Sequence, residues 1–516
     1  MPLPVSRGMR RRISARTRVR GEMHSIFRDD EIQRFSRRHV LQTGCACLAG
    51  LVAPAALAFD PDGDQLQRWL RENAVRTDPP RDGSLAMSNV EPLLTAIGDA
   101  RIVMLGEPSH GAGAAFTAKA RLVRLLHERL GFDLLAWESG LIDLERTEAG
   151  LRGSLDPVEA AQRGIFNMWS ASAECRPLFT YVKASDRTTK PLTMAGFDVQ
   201  LTAPGTFDYF AQQLRSFVAT LPPAIRGSAK DAAEDVLQSF GRLNRYTDAL
   251  AAKLAELGHA GIGGPARGSA IEQWNRSEGD AIRPQSADLE RLRTAASTLE
   301  PMLLKNTSVR AGFMVRAVSG LVAYGTNLLE DQGKHSAEQE TRYAMERENR
   351  RDQANAENLR WMIDKGYRGR KIVVWAHNAH VMSAWYGPGF NSVSTKPLAD
   401  GMKTTGNWLT GWYGREVYKI GITAYQGSDG MLGSPAAPVP PAPEGSLEER
   451  LHRLGFSEAF LPLRAGKTGK AIPVSPVLMR IPKYKAESIA SPAQAFDAIY
   501  FIDTMTPASP IKPDES

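Results

Sequence analysis

The stretch VMLGEPSHG, residues 103–111, sets Glu107 and His110 three residues apart where an apolar run stops. Three further apolar runs end in the same manner. LLAWES delivers Glu138, MAGFD delivers Asp198, and VVWAHNAHV delivers His377, Asn378 and His380. Histidine titrates near neutrality, so a neutral imidazole can take a proton from water. A carboxylate beside it fixes the tautomer and stabilises the imidazolium, while further histidines can donate to a developing oxyanion. These residue types point to hydrolysis by proton transfer, with His110, Glu107, Glu138, His377 and His380 as candidate catalytic groups. Lys119, Asp198 and Asn378 are candidate substrate contacts.

Other chemistries use the same side chains. Glu and His at E-x-x-H and H-x-x-H spacing are metal-type ligands. Both pairs start at strand ends, where three-residue spacing does not put two groups on one face, and H-E-x-x-H is absent. A metallohydrolase therefore stays as the alternative, and no metal or other cofactor is expected. A nucleophilic serine is weakly supported, because G-x-S-x-G is missing and Ser109 sits directly beside His110. Structural roles compete too. Glu107 or Asp198 could cap a helix or start a loop, His377 alone could be a core histidine, and Lys119 could face either the cleft or the surface. Arg121, Arg124 and His127 read as solvated or paired.

Groups at strand ends converge only if the strands run parallel. From Arg101 to Asp198 the pattern alternates, RIVMLGE, DLLAWES and PLTMAGFD reading as strands and AFTAKARLVRLLHERLG as an amphipathic helix stopping at Gly131. KIVVWAHNAH, VYKIGITAY and FDAIYFID resume the strands later. This predicts an α/β fold with a mostly parallel central sheet flanked by helices, whose ligands bind outside the carboxyl ends of the strands. Residues 205–345 are helical in period and read as a large insertion. The α/β domain is thereby divided into residues 59–204 and 346–510. PAAPVPPAPEG, residues 435–445, reads as a surface loop.

The net charge of +7 suggests a nucleic-acid or membrane partner until its distribution is read. Residues 1–58 hold 11 arginines and four acids, whereas the remaining chain balances 53 basic against 53 acidic residues. Nucleic acid is thus not an expected partner. FSRRHVLQTGCACLAGLVAPAALAFD pairs Arg37 and Arg38, adds a short weakly apolar segment and ends in Ala56–Leu57–Ala58. That is the layout of a twin-arginine export signal, predicting transport by that machinery, a periplasmic or secreted product and no stable membrane association after cleavage. Cys45 and Cys47 fall in the leader, so Cys175 remains alone as a small buried hydrophobe.

LGEPSHGAGAAFTAKARLVRLL, LLAWES, AGFDVQ, RDQANAENLRWMI, VVWAHNAHV and FDAIYFID, in this order, resemble the erythromycin esterase family. The resemblance implies metal-independent hydrolysis of a macrolide lactone or another small-molecule ester. It makes His110 the water-activating base, with Glu107 orienting it. Glu138, His377, His380 and Lys119 match other active-site positions, and the insertion matches helices walling a large cleft. One departure stands out: four residues after the first histidine the family often has an acid, and this chain has Ala114. Export is checked by mass spectrometry of the secreted fraction, where a new amino terminus at Phe59 is expected. Replacing Arg37 and Arg38 by lysine is expected to leave the uncleaved chain in the cytoplasm.

Overall fold

A computed structural model describes residues 63–77, 85, 87–259, 264–330, 337–383, 401–464, 472, 477–480 and 487–512. The leader at 1–58 lies outside the described residues. The strands are β1 (Val75–Arg76), β2 (Ile102–Leu105), β3 (Leu134–Gly140), β4 (Thr193–Asp198), β5 (Ile372–Trp375), β6 (Val417–Asp429), β7 (Ala437–Val439), β8 (Glu458–Pro462), β9 (Val477–Arg480), β10 (Glu487–Ala490) and β11 (Ala498–Met505). Nine of them form one sheet in the order β1-β8-β11-β6-β2-β5-β3-β4, with β7 beside β6. Every pairing from β11 to β4 is parallel. Only β8, β1 and β7 run antiparallel to their neighbours within that sheet. The expected α/β class with a mostly parallel sheet is what is found.

The helices that position the site are α1 (Gly113–Leu130), α2 (Arg176–Ser185), α3 (Thr206–Ala219), α4 (Ser286–Leu303), α5 (Val309–Glu330), α6 (Ala337–Trp361), α7 (Asn378–Val381) and α8 (Thr405–Tyr413). The runs IVML and IVVW are apolar at every position because both sheet faces are covered. Ile102, Met104, Ile372 and Val374 share one core with Phe210, Leu214, Leu292, Leu299 and Val318 of α3, α4 and α5. Val103, Leu105, Val373 and Trp375 share the opposite core with Phe116, Leu126 and Phe179 of α1 and α2. Side chains alternate across a strand, so each four-residue run feeds both layers. Helices of the predicted insertion therefore pack in one of the sheet's two covering layers. α6 runs unbroken through 345–346, where sequence places the end of the insertion. Gly131 closes α1 in the left-handed region, with φ of 71°.

Strand β4 lies at the end of the sheet and would offer unpaired backbone groups. α6 supplies a polar stripe that meets two backbone groups at the carboxyl end of the strand. Arg351, Asn355 and Asn358 follow helical i, i+4, i+7 spacing and are all buried. Asn358 Nδ2 donates to the Phe197 carbonyl at 2.9 Å, and Asn355 Oδ1 accepts from the Val199 amide at 3.1 Å. The Pro-rich segment corrects an expectation in part. Within it Ala437–Val439 pairs with Gly427–Asp429, a short strand at which Pro438 is tolerated because β7 has a neighbour on one side only.

The register of β3 against β4 shifts between Trp137 and Gly140, so Glu138 sits in an irregularity of its strand. Such irregularities re-aim a side chain at a strand end. Gly196 on β4 makes room for this one. A Cβ there would lie 2.3 Å from the Gly140 carbonyl oxygen and 2.6 Å from that of Ser139. Both obstacles are backbone. Gly196→Ala is expected to cost about 1–3 kcal/mol by overpacking, read as a lower denaturant midpoint with unchanged slope.

Candidate active site

The predicted groups meet at the carboxyl edge of the sheet, on strands β2, β5, β3 and β4. Glu107 is fully buried and divides its oxygens between two partners. Oε1 lies 3.2 Å from His110 Nδ1, and Oε2 pairs with the buried Lys119 ammonium. Lys119 Nζ also donates to the Ala376 carbonyl at 3.0 Å and lies 4.2 Å from the centre of the Trp375 ring. Burial lowers the Lys119 pKa, and Glu107 opposes that shift. Glu107 caps no helix; the residue preceding α1 is Ala112, without a side-chain cap. Lys119 faces inward, not outward.

His110 stays more open than its neighbours, with 21% of its side chain exposed. Its ring stands edge-on to Trp169 at 5.4 Å and lies 5.1 Å from the ring of His377. With Nδ1 directed to Glu107, Nε2 is the nitrogen left for a reactant. His377 opens α7, and its Nδ1 accepts the Ala379 amide proton at 3.0 Å. That bond requires a lone pair on Nδ1. A neutral His377 therefore carries its proton on Nε2 and is a donor there.

His380 is enclosed. Its Nδ1 lies 2.7 Å from Asp352 Oδ1 and its Nε2 lies 3.2 Å from Glu138 Oε1. Burial pushes its pKa down, but Asp352 and Glu138 outweigh that and raise it to about 10. Glu138 Oε2 accepts the His377 amide at 2.8 Å. Burial would raise the Glu138 pKa, yet His380 and Arg351 hold it well below the usual carboxylate range. Arg351 Nη2 donates to Glu138 Oε1 at 2.9 Å and also pairs with Asp198. Asp198 additionally accepts the Gln200 amide at 3.1 Å, so it is both turn former and ion-pair partner.

Asn378 serves the framework. Its Nδ2 donates to the Ile422 carbonyl at 2.8 Å, its Oδ1 accepts the Ile422 amide at 3.2 Å, and its own amide donates to Glu107 O at 2.8 Å. It thus clips the turns after β2 and β5 to β6. Gly106 is obligatory at this crossing, because a Cβ would lie 2.1 Å from Asn378 Oδ1. The small-residue run at GAGAA has a similar cause. A Cβ on Gly111 would lie 2.5 Å from Gly430 C, and one on Gly113 would lie 2.5 Å from Pro507 O. Backbone passes directly over this turn, and Ala114 donates its amide to Thr506 O at 3.4 Å.

Arg351, Asp352 and Thr405 escape sequence reading, although RDQANAENLRWMI stands among the segments that resemble the family. The signal was the polar stripe at helical spacing in a helix bordered by buried alanines. The remaining candidates are structural. His127 bonds Tyr181 Oη at 2.6 Å and Lys190 O at 2.9 Å. Arg121 pairs with Glu458, Arg124 with Glu128, and Ser109 Oγ accepts the Gly111 amide at 3.0 Å. Cys175 is buried and free. Among the described residues no three His, Cys, Asp or Glu side chains converge as metal ligands.

A family model described as erythromycin esterase matches residues 127–505. The chain belongs to the erythromycin esterase family. It is a hydrolase of that family, though Glu107, His110 and Lys119 precede the matched span. YbfO of Bacillus subtilis (strain 168), whose name proposes a hydrolase without specifying a substrate, is 25% identical over 93% of this chain and 100% of its own length. Erythromycin esterase type II of Escherichia coli is 21% identical over 71% of this chain and 79% of its own. Among solved structures, a mutant of the erythromycin esterase EreC in its open conformation shares the fold. That match has a TM-score of 0.53 at 18% identity and covers 81% of this chain and 94% of that one.

Lys119 provides the test of this electrostatic arrangement. Lys119→Met leaves Glu107 buried and uncompensated, at an expected cost of about 3–5 kcal/mol. The loss is expected to be larger at neutral than at mildly acidic pH, where protonation relieves an unpaired buried charge. Urea unfolding at neutral and mildly acidic pH, compared with wild type, measures both effects.

Proposed function

We propose that this protein is an exported carboxylic-ester hydrolase in which His110 activates water against a bulky or cyclic ester, a macrolide lactone among them. The observation that carries the reading is the Glu107–His110 contact of 3.2 Å on an imidazole that is partly open while its carboxylate is fully buried. Nε2 of His110 removes a proton as the water oxygen attacks the carbonyl carbon. The resulting oxyanion takes a hydrogen bond from Nε2–H of His377. Collapse breaks the bond to the alkoxy oxygen, which recovers the proton from His110, giving an acid and an alcohol.

The charge balance supports this role. Glu107, Glu138, Asp198 and Asp352 are opposed by Lys119, Arg351 and the His380 imidazolium. One negative charge is left over among these groups, and a proton on His110 cancels it. Lys119 and Asp198 act through Glu107 and Arg351, and Asn378 acts by holding the turns; direct contact with substrate falls to His110 and His377. Twin-arginine export would bring the enzyme to its ester outside the cytoplasm, where macrolide resistance is one use of it.

The test is a panel of macrolides and aryl esters, incubated with the mature protein and read by mass for the addition of one water. His110→Ala is expected to lower kcat about 10²–10⁴-fold, with the melting temperature nearly unchanged because the ring is partly exposed. Wild-type activity is expected to survive chelation and removal of all metal. Loss of activity with the metal would instead favour the metallohydrolase alternative. Saturable ligand binding without product would favour a binding protein on this scaffold.

A further inference from the structure

The hydrolase reading uses His110 and His377 and leaves His380 without a step. The surroundings of His380 give it another task. Five elements, β4 among them through Asp198, supply the groups that face it or act on it through a neighbour. α6 supplies Asp352 and Arg351, β3 supplies Glu138, α8 supplies Thr405, and its own turn supplies His377, whose ring centre is 6.5 Å away. Asp198 and Glu348 act at one remove, through Arg351. Asp352 is itself anchored, its Oδ1 accepting the Thr405 hydroxyl at 2.6 Å.

The local charges decide the protonation state. Around Arg351 stand Glu138, Asp198 and Asp352, all buried. Were His380 neutral, this nest would hold two uncompensated negative charges away from water, which is very unfavourable. A second pattern is geometrically available, in which Arg351 Nη1 donates to His380 Nε2 across 3.2 Å. It requires the neutral ring and leaves the charge imbalance in place, so the cation is favoured. In the charged ring both nitrogens donate, Nδ1 to Asp352 and Nε2 to Glu138.

We propose that Asp352, fixed by Thr405, is a positioning residue that keeps His380 a standing cation throughout the reaction, so that His380 secures Glu138 and Glu138 secures the backbone of His377. This rests on the hydrolase reading for its purpose, but not for its first measurement. The consequence is a division of labour. Proton transfer is confined to His110, and His380 neither accepts nor releases a proton during turnover.

The experiment follows the ring nitrogens of His380 by NMR in full-length protein labelled with ¹⁵N-histidine, the resonances assigned with His380→Gln. In wild type both nitrogens are expected to keep imidazolium shifts from neutral pH well into the alkaline range. In Asp352→Asn, which retains the shape and the Thr405 bond, the titration is expected to move down by about 1–3 pH units. Thr405→Val, which keeps the carboxylate, is expected to move it less. Asp352→Glu is expected to restore most of the wild-type behaviour. A wild-type ring that titrates near neutrality would overturn the proposal, as would identical titrations in wild type and Asp352→Asn. These readouts need no substrate, so they stand if ester hydrolysis is not found. Where hydrolysis is found, kcat in Asp352→Asn is expected to acquire a decline with rising pH at the new His380 titration. An unaltered pH profile despite the NMR shift would overturn the link from His380 to catalysis.

Discussion

Everything at this sheet edge depends on keeping buried carboxylates in company. A carboxylate removed from water is costly unless it is paired and hydrogen-bonded. The carboxyl edge of this sheet collects Glu107, Glu138, Asp198 and Asp352, each nearly inaccessible. Their counter-charges come from three different places. Lys119 rises from α1 on one side of the sheet, Arg351 descends from α6 on the other, and His380 lies between them on the turn after β5. The two covering layers are thus joined across the strand ends by ion pairs as well as by the apolar cores beneath.

Three histidines of similar sequence context come to differ because their nitrogens meet different partners. A carboxylate at Nδ1 of His110 leaves Nε2 as its outward nitrogen. A backbone amide at the same position makes His377 a donor. Two carboxylates make His380 a cation. No intrinsic property of imidazole distinguishes them; the distinction is made by one helix amide and by the helix that carries Asp352. The short distance between the rings of His110 and His377 is what lets the proposed base and donor address one small reacting group.

Much of the fold was legible because parallel strands buried on both faces are apolar throughout and end abruptly. Glu107, Glu138, Asp198, His377 and His380 stood out for the same reason, as polar residues at the close of such runs. Lys119 was ambiguous because helical spacing alone does not say which side of α1 faces the strands. The role of Asn378 was illegible, since an amide that bonds backbone leaves no pattern in sequence. Arg351 and Asp352 were hidden because a buried polar stripe resembles an exposed one when no partner is known. Ala114 stood out as a departure from the family, and the crossing backbone at Gly430 and Pro507 accounts for the glycines just before it. The pairing of the Pro-rich β7 was also missed, because proline is disfavoured in strands except at edges.

The stripe on α6 has a bearing on how such a protein is made. Asn355 and Asn358 occupy backbone groups beside β4, which otherwise invite another chain to add a strand. On the same helix, one turn earlier, Arg351 and Asp352 complete the charge pattern at the site. A chain whose α6 has not yet docked therefore has an adhesive sheet margin and an unfinished centre together. Docking of α6 thus covers two backbone groups at the end of this margin and completes the charge pattern of the site together.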